Sequence, residues 1–296
     1  HCTSSAASDV YKRQVLATAY QQSQLKIGNY VAKSLSVGDL FMAAIIPGLI
    51  LVFLYGLYFV FSLKKEVLTL NEDQKHENFF ELISTLIPPF FLIFAVLGSI
   101  ITGIASPTEA AGIGALGAIF IALIHKRLNF KILKESTTQS AFISSMVFLI
   151  LIGASIFSLV FRGLGGEELI TEIFNSIPGG LFGSMILVMF LVFVLGFILD
   201  FIEITFIVVP IVGPILMTMG ADPLWLGVML AINLQTSFLT PPFGFALFYL
   251  RSVTPETIKT ESIYKGVFPF IMIQILVLCL VAYFPLLATL LPEIIF

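Results

Sequence analysis

The feature that most constrains this chain is a succession of long apolar segments, most of them long enough for a helix to cross a lipid bilayer. A transmembrane helix needs about 20 predominantly apolar residues, and in lipid it satisfies its backbone hydrogen bonds within the segment. We therefore predict an all-α membrane protein that crosses the bilayer several times. The segments lie at 38–62, 83–101, 107–124, 138–161, 181–199, 203–219, 223–249 and 266–291.

The composition supports a membrane protein and argues against a soluble one. Of the 296 residues, 58% are hydrophobic and 11% are charged, whereas a soluble domain carries about 25% charged residues. The two cysteines lie far apart and are expected to be unpaired thiols without a function. The sequence has no basic patch and no glycine-rich phosphate loop, which disfavours binding of nucleic acids and nucleotides.

Enzyme motifs are also absent from the sequence. It contains no HExxH or GxSxG motif and no cluster of Cys and His ligands. The three histidines, His1, His76 and His125, belong to tails or loops, and Asp200 is the single aspartate deep in an apolar segment. An intramembrane aspartyl protease needs two such aspartates. We therefore predict that the chain is not an enzyme and uses no organic cofactor.

Residues 1–14, HCTSSAASDVYKRQ, do not match the chain that follows. They are small and polar, and they lack the apolar region of a signal peptide. We expect them to be a non-native tail that arose in sequence assembly, so that 15–296 is the informative part. On this expectation the chain is a gene product truncated at its N-terminus.

Lysine and arginine are distributed unevenly between the two sets of loops, which predicts the orientation in the membrane. We take 181–219 to enter and return as a pair, while the other segments each cross. Loops 63–80, 125–137 and 250–265 are then predicted to be cytoplasmic and the C-terminus to lie outside. The cytoplasmic side receives Lys64, Lys65, Lys75, Lys126, Arg127, Lys131, Lys134, Arg251, Lys259 and Lys265, against Lys26, Lys33 and Arg162 on the other side.

The stretch AINLQTSFLTPPFGFALFYLR, residues 231–251, is long enough to span the bilayer but carries polar side chains before a proline pair at 241–242. Each proline removes an N–H donor, which predicts that the carbonyls of Ser237 and Phe238 lose their helical partners. Such carbonyls need another partner at membrane depth, and hard cations prefer oxygen ligands. We predict a broken helix with a Na⁺ site made by these carbonyls and by the hydroxyls of Ser237 and Thr240. The alternative is a proline kink that serves helix packing.

A second polar interruption, GFILDFIEI, lies within 181–219. Asp200 and Glu203 are three residues apart and share a helix face. A carboxylate at the bilayer centre costs roughly 2.5–3.5 kcal/mol, so it normally faces a cavity or a partner. We predict that 181–219 is a re-entrant hairpin whose tip, with these carboxylates, is buried in protein. The alternative is a hydrated turn between two full spans.

The third interruption, GIASPTEAAGIGALGA at 103–118, has the pattern of a helix start. Pro107 suits the first helical turn, and Ser106 with Glu109 forms the sequence pattern of a capping box. The capping interpretation of Glu109 is favoured over a role as a ligand.

Four segments in this order resemble the large membrane subunit of TRAP transporters, the DctM type. The resemblance runs from about Val15 to the C-terminus, and SVGDLF and LDFIEI are most similar to the larger subfamily, often labelled mannitol/chloroaromatic. The four are SVGDLFMAAIIPGLILVFLYGLYF at 36–59, GIASPTEAAGIGALGA at 103–118, GFILDFIEITFIVVPIVGPI at 196–215 and NLQTSFLTPPFGFALFYLR at 233–251.

This resemblance implies a secondary transporter that is coupled to Na⁺, is built on two inverted repeats and moves like an elevator. The segment 181–219 is then similar to the second hairpin and 223–249 to its broken helix, while the first hairpin and first broken helix would precede Val15. The implied Na⁺ ligands are Gly196, Ser237, Thr240 and Phe243, and the implied substrate-site or hairpin-tip residues are Asp200, Glu203 and Asn233.

The resemblance also implies partners and a location. It implies a small membrane subunit of the DctQ type, a periplasmic substrate-binding protein, and import of a small organic acid such as a dicarboxylate across the bacterial inner membrane. The C-terminus would be periplasmic. Two alternatives stay open, namely an ion-coupled carrier of the same superfamily without a binding protein, and a channel or membrane scaffold.

Overall fold

The computed structural model describes residues 36–66, 79–199, 201–240, 245–255 and 258–295, and every regular element in these ranges is helical. The predicted all-α fold is confirmed. The elements are α1 (Val37–Glu66), α2 (Phe79–Ile101), α3 (Pro107–Ile124), α4 (Phe130–Gly163), α5 (Gly166–Ser176), α6 (Gly180–Leu195), α7 (Phe201–Glu203), a π-helical turn (Ile204–Val208), α8 (Val209–Thr218), α9 (Pro223–Leu239), α10 (Phe245–Val253), α11 (Thr260–Tyr283) and α12 (Leu286–Ile295).

Several of these helices have the length and composition of membrane spans. Within the described ranges, five helical stretches qualify, and the pair α5 and α6, bent by 117°, would make a sixth. Several crossings were predicted, so the multi-spanning class is confirmed. The five stretches are Val37–Ser62, Pro107–Ile124, Phe130–Gly163, Phe201–Thr218 and Thr260–Tyr283.

The chain divides into two compact units, and the first contains the described residues of 58–149. In this unit α2 packs against α3 through glycines. A Cβ atom at Gly114 would lie 3.3 Å from Val96, and one at Gly117 would overlap the Leu92 side chain. Small residues of this kind allow two membrane helices to approach closely.

Helix α3 begins with the predicted capping box. The Ser106 hydroxyl accepts a hydrogen bond from the Glu109 N–H at 3.4 Å, and the Glu109 carboxylate accepts from the Ser106 N–H at 2.8 Å. The same carboxylate accepts from the Ser106 hydroxyl at 2.8 Å. The capping interpretation of Glu109 is therefore confirmed.

The second unit contains the described residues of 36–57 and 150–295, and α9 is its central helix. Helix α9 contacts α6, α10, α11 and α12. It begins after Asp222, whose carboxylate accepts from the Trp225 N–H at 2.8 Å. The indole N–H of Trp225 in turn donates to the Val281 carbonyl of α11 at 2.8 Å, so the cap also positions a bond between helices.

The last predicted segment, 266–291, contains two helices in the structure. Helix α11 begins earlier, at Thr260, and ends at Tyr283, and α12 follows from Leu286. Pro285 explains the break, because the residue before a proline is pushed out of the helical region. Phe284 accordingly has φ −119° and ψ 78°.

Two further boundaries differ from the prediction. Helix α4 begins at Phe130 rather than at 138, so most of the predicted loop 125–137 is helical. The Asn129 side chain explains the early start, since it accepts from the Ile132 N–H at 2.8 Å, as an N-cap does. Helix α5 was not predicted, because its mixed acidic and apolar residues do not form a long apolar run. It turns into α6 at Gly179, which has φ +96°.

Candidate functional site

The site begins at the turn that follows α6. Helix α6 and the helical stretch 201–218 are consecutive in the chain and contact each other, as two arms of the predicted hairpin 181–219 would. After Leu195 the helix tightens into turns. The Phe197 N–H donates to the Val194 carbonyl at 3.2 Å and the Ile198 N–H to the Leu195 carbonyl at 2.9 Å. The re-entrant course of this segment stays a prediction, and Asp200 lies outside the described residues.

The second arm starts irregularly. Three residues of α-helix lead into the π-helical turn Ile204–Val208 before α8 begins. Glu203, predicted at the hairpin tip, is half-buried and directly precedes the π turn. The buried Thr205 hydroxyl donates to the Phe201 carbonyl at 2.7 Å. Single π turns inside helices occur frequently at functional sites, and this one lies where the sequence places a carboxylate in an apolar segment.

The end of α9 differs from the prediction in one contact. The carbonyl of Ser237 was expected to lack a donor because of Pro241. It instead accepts from the Thr240 N–H at 3.1 Å. This N–H is available because the chain leaves the helix at Thr240, with φ −92° and ψ 126°, and a tighter turn closes the last loop of the helix. The Ser237 carbonyl keeps a second lone pair for a further ligand.

The hydroxyls of the α9 end all bond back to their own helix. Ser237 donates to the Leu234 carbonyl at 2.7 Å, and Thr240 donates to the Thr236 carbonyl at 2.8 Å. Each hydroxyl oxygen donates its hydrogen to the helix and retains acceptor lone pairs. Both oxygens therefore remain available as acceptors.

The turn after α6 lies directly against the end of α9. A Cβ atom at Gly196 would lie 2.5 Å from the Ser237 Cβ and would overlap its hydroxyl. Beside this contact the rings of Phe201 and Phe238 pack with centroids 5.2 Å apart. Gly196 and Ser237, predicted as partners in one site, are thus brought together.

Asn233 ties the same two helices together further from the turn. It is buried, and its Nδ2 donates to the Met189 carbonyl at 2.7 Å. On α9 the contacting residues are Asn233 and then Ser237, and on α6 their partners are Met189 and then Gly196. The two contacts thus occur in the same chain order on both helices. Helices α6 and α9 therefore run parallel, and their C-terminal ends converge. A helix C-terminus carries roughly half a negative charge, so this convergence favours a bound cation.

The structure accounts for the predicted site residues as follows. Gly196, Ser237 and Thr240 lie at the converging helix ends, and Asn233 lies one turn of α9 before Ser237. Phe243, like Asp200, falls outside the described ranges. The π turn with Thr205 was missed, since no spacing rule in the sequence distinguishes a π turn from α-helix.

Fold and site together define a polytopic helical membrane protein with a polar junction of helix ends in its apolar interior. Residues 26–287 match the family model described as the DctM component of the tripartite ATP-independent periplasmic transporter. The chain belongs to this family. It is a family of transporter components and not of enzymes, which confirms the prediction that the chain is not an enzyme.

Individual relatives agree with the family assignment. The chain is 29% identical over 273 residues to the sialic acid TRAP transporter large permease protein SiaM of Vibrio cholerae, which covers 89% of this chain and 61% of that protein. It is 27% identical over 261 residues to the C4-dicarboxylate TRAP transporter large permease protein DctM of Rhodobacter capsulatus, covering 88% and 59%. It is 28% identical over 260 residues to the isethionate TRAP transporter permease protein DctMQ of Oleidesulfovibrio alaskensis, covering 86% and 40%. The chain thus spans about three fifths of the length of the first two relatives.

Proposed function

We propose that this chain belongs to the large permease subunit of a Na⁺-coupled, binding-protein-dependent secondary transporter that imports a small organic acid. The observation that carries the proposal is the convergence of the C-terminal ends of α6 and α9 at Gly196 and Ser237. Family membership supports the class of transporter, and the site supports the coupling ion.

The chemistry of the junction favours Na⁺ over an anion. Its polar atoms are carbonyl and hydroxyl oxygens, which suit a hard cation. The negative ends of two helix dipoles add to the attraction. The proposed ligands are the carbonyl of Gly196, the carbonyl and hydroxyl of Ser237 and the Thr240 oxygen, with Phe243 supplying a further carbonyl. Asp200, Glu203 and Asn233 are proposed to border the substrate.

The substrate class rests on the relatives. Sialic acid, C4-dicarboxylates and isethionate, which appear in the relatives' names, are all organic acids. We assign the same broad class here. The proposed partners are a small DctQ-type membrane subunit and a periplasmic binding protein, in the bacterial inner membrane with the C-terminus on the periplasmic side.

Reconstituted transport tests this proposal. The protein from the complete open reading frame, with the small subunit and the binding protein from its gene neighbourhood, is placed in proteoliposomes. Uptake of sialic acid, succinate or isethionate is then measured under an inward Na⁺ gradient and, as control, an equal K⁺ gradient. Saturable uptake of one acid that requires both Na⁺ and the binding protein is expected.

The alternatives give different results in the same assay. Saturable Na⁺-driven uptake without any binding protein would show a carrier of the wider superfamily. A flux that does not saturate, or that ignores the Na⁺ gradient, would show a channel and contradict the proposed function.

A further inference from the structure

In the second unit, the side chain of Gln274 in α11 is buried, as is the hydroxyl of the half-buried Tyr55 in α1, and both lack a hydrogen-bond partner among the described residues. The Tyr55 hydroxyl and both polar atoms of the Gln274 amide are buried and unpaired. Gln274 as a whole is 0% exposed. Buried polar groups are almost always hydrogen-bonded, to protein or to ordered water, so these three atoms together require a partner.

The two side chains are neighbours across the α1–α11 contact. The Tyr55 ring packs edge-on against Phe270, with centroids 5.1 Å apart and ring planes at 75°. Phe270 and Gln274 lie four residues apart and so share one face of α11. Tyr55 therefore packs beside Gln274, and the two polar groups do not meet in hydrogen-bond geometry. The hydroxyl and the amide are therefore neighbouring donors and acceptors that stay unpaired among the described residues.

Gln274 interrupts an otherwise apolar face of its helix. The residues before it on this face belong to a small apolar cluster with Leu247, and those after it belong to the main apolar cluster around α9. Gln274 is thus the polar boundary between two apolar clusters. The other buried residues of this face are Ile263, Val267, Ile271, Val277 and Val281.

The level of Gln274 along the bundle follows from the bond between Trp225 and the Val281 carbonyl. Helices α9 and α11 are antiparallel, since the end of α9 packs against the first half of α11. At 1.5 Å per residue, Asn233 lies about 12 Å along α9 from Trp225, and Gln274 about 10 Å along α11 from Val281. Gln274 therefore lies at about the level of Asn233 along the bundle.

We propose that Tyr55 and Gln274 bind ordered water between α1 and α11, as a hydrated link that holds the two helices together. The hydroxyl donates and accepts, the amide N donates twice, and the amide O accepts. Water matches this mixed set, and a buried water makes about three hydrogen bonds. The two side chains offer two oxygens, too few for a hard cation, which takes about six. They carry no positive charge that would retain an anion.

The proposal is tested by whether removing these polar atoms raises or lowers the thermal unfolding midpoint. In the protein from the complete open reading frame, Gln274→Met keeps the length of the side chain and Tyr55→Phe keeps its ring, while each removes polar atoms. Bound water makes both changes destabilising, and we expect each to lower the thermal unfolding midpoint by about 2–4 °C. The double variant should lose less than the sum, because both side chains bond the same water. The exposed pair Gln235→Met and Tyr283→Phe serves as the control and should not shift the midpoint.

Four outcomes would overturn the proposal. A higher unfolding midpoint for Gln274→Met would mean that the amide is merely unsatisfied, and additive losses would mean that no water is shared. An altered Na⁺ dependence of transport in either variant would mean that the occupant is the coupling ion. An experimental density map of the wild-type protein tests for the bound water without any variant. It should show a peak about 2.7–3.2 Å from the hydroxyl and the amide, whereas a direct contact between the two side chains would contradict bound water.

Discussion

At the scale of single residues, the junction depends on Gly196 having no side chain. Ser237 occupies the space that a Cβ atom would need there. Ser237 is buried, and its hydroxyl is held by the Leu234 carbonyl at 2.7 Å. The serine can therefore yield to a larger neighbour only if α6 and α9 move apart.

Gly196→Ala should therefore weaken both stability and Na⁺ coupling. Overpacking of this kind costs about 1–3 kcal/mol, and separation of the helix ends should raise the Na⁺ concentration for half-maximal uptake. Thermal unfolding and Na⁺ titration of uptake measure the two effects. Gly153→Ala in α4 is the control, because nothing lies within 4 Å of its added Cβ. Ser237→Gly should restore the unfolding midpoint of Gly196→Ala, and failure of this rescue would show that the contact is not the cause of the lost stability.

Thr240→Val should raise the Na⁺ concentration for half-maximal uptake about fivefold, which corresponds to the loss of one ligand oxygen worth ~1 kcal/mol. The change also removes the hydrogen bond to the Thr236 carbonyl. Thr218→Val controls for that loss, since Thr218 donates to the Ile215 carbonyl at 2.7 Å but lies at the exposed end of α8. Equal effects of the two changes on Na⁺ dependence would exclude Thr240 as a ligand.

At the scale of elements, the parallel course of α6 and α9 brings the candidate site residues together. Two helices whose C-terminal ends meet bring like dipole ends together, an arrangement that repels itself unless a cation is present. The buried bond between Asn233 and Met189 holds the helices in this register. The capping box of α3, in contrast, is a local device that needs no tertiary partner.

Ser106→Ala should therefore lower stability without changing Na⁺ dependence. Loss of an N-cap costs about 1 kcal/mol, which thermal unfolding detects. Ser155→Ala in α4 is the matched control, since its exposed hydroxyl donates to the Leu151 carbonyl at 2.8 Å and caps no helix. If Ser106→Ala or Glu109→Gln instead shifted the Na⁺ titration, Glu109 would be a ligand rather than a cap residue.

At the scale of the whole molecule, the distribution of basic residues predicts the membrane orientation. Single cysteines at positions 131 and 259, in a background with Cys279 replaced by Ala, should be protected from an impermeant thiol reagent in intact cells. A cysteine at position 293, near the C-terminus, should be labelled. Both lysines and Glu293 are exposed, so accessibility within the protein does not limit labelling. Labelling at 131 or 259 from outside would show that the orientation is the opposite of the predicted one.

The sequence by itself determined the class of fold. Lipid offers no hydrogen bonds, so long apolar segments have to be helices, and the start of α3 follows from the pattern Ser106–Pro107–Glu109 alone. The end of the helix near residue 240 is also predictable from the sequence, because a proline pair cannot continue a helix. These rules are local: they depend on residues within one or two turns of each other.

Only the tertiary structure shows the contacts between residues that lie far apart in the sequence. The Gly196–Ser237 contact joins residues 41 positions apart, and no pattern in either segment encodes their distance. The sequence likewise does not show that the unpaired amide of Gln274 lies beside the unpaired hydroxyl of Tyr55, which belongs to another helix. The backbone hydrogen bonds within one helix follow from the local sequence. The pairing of buried polar atoms between helices depends on how those helices pack.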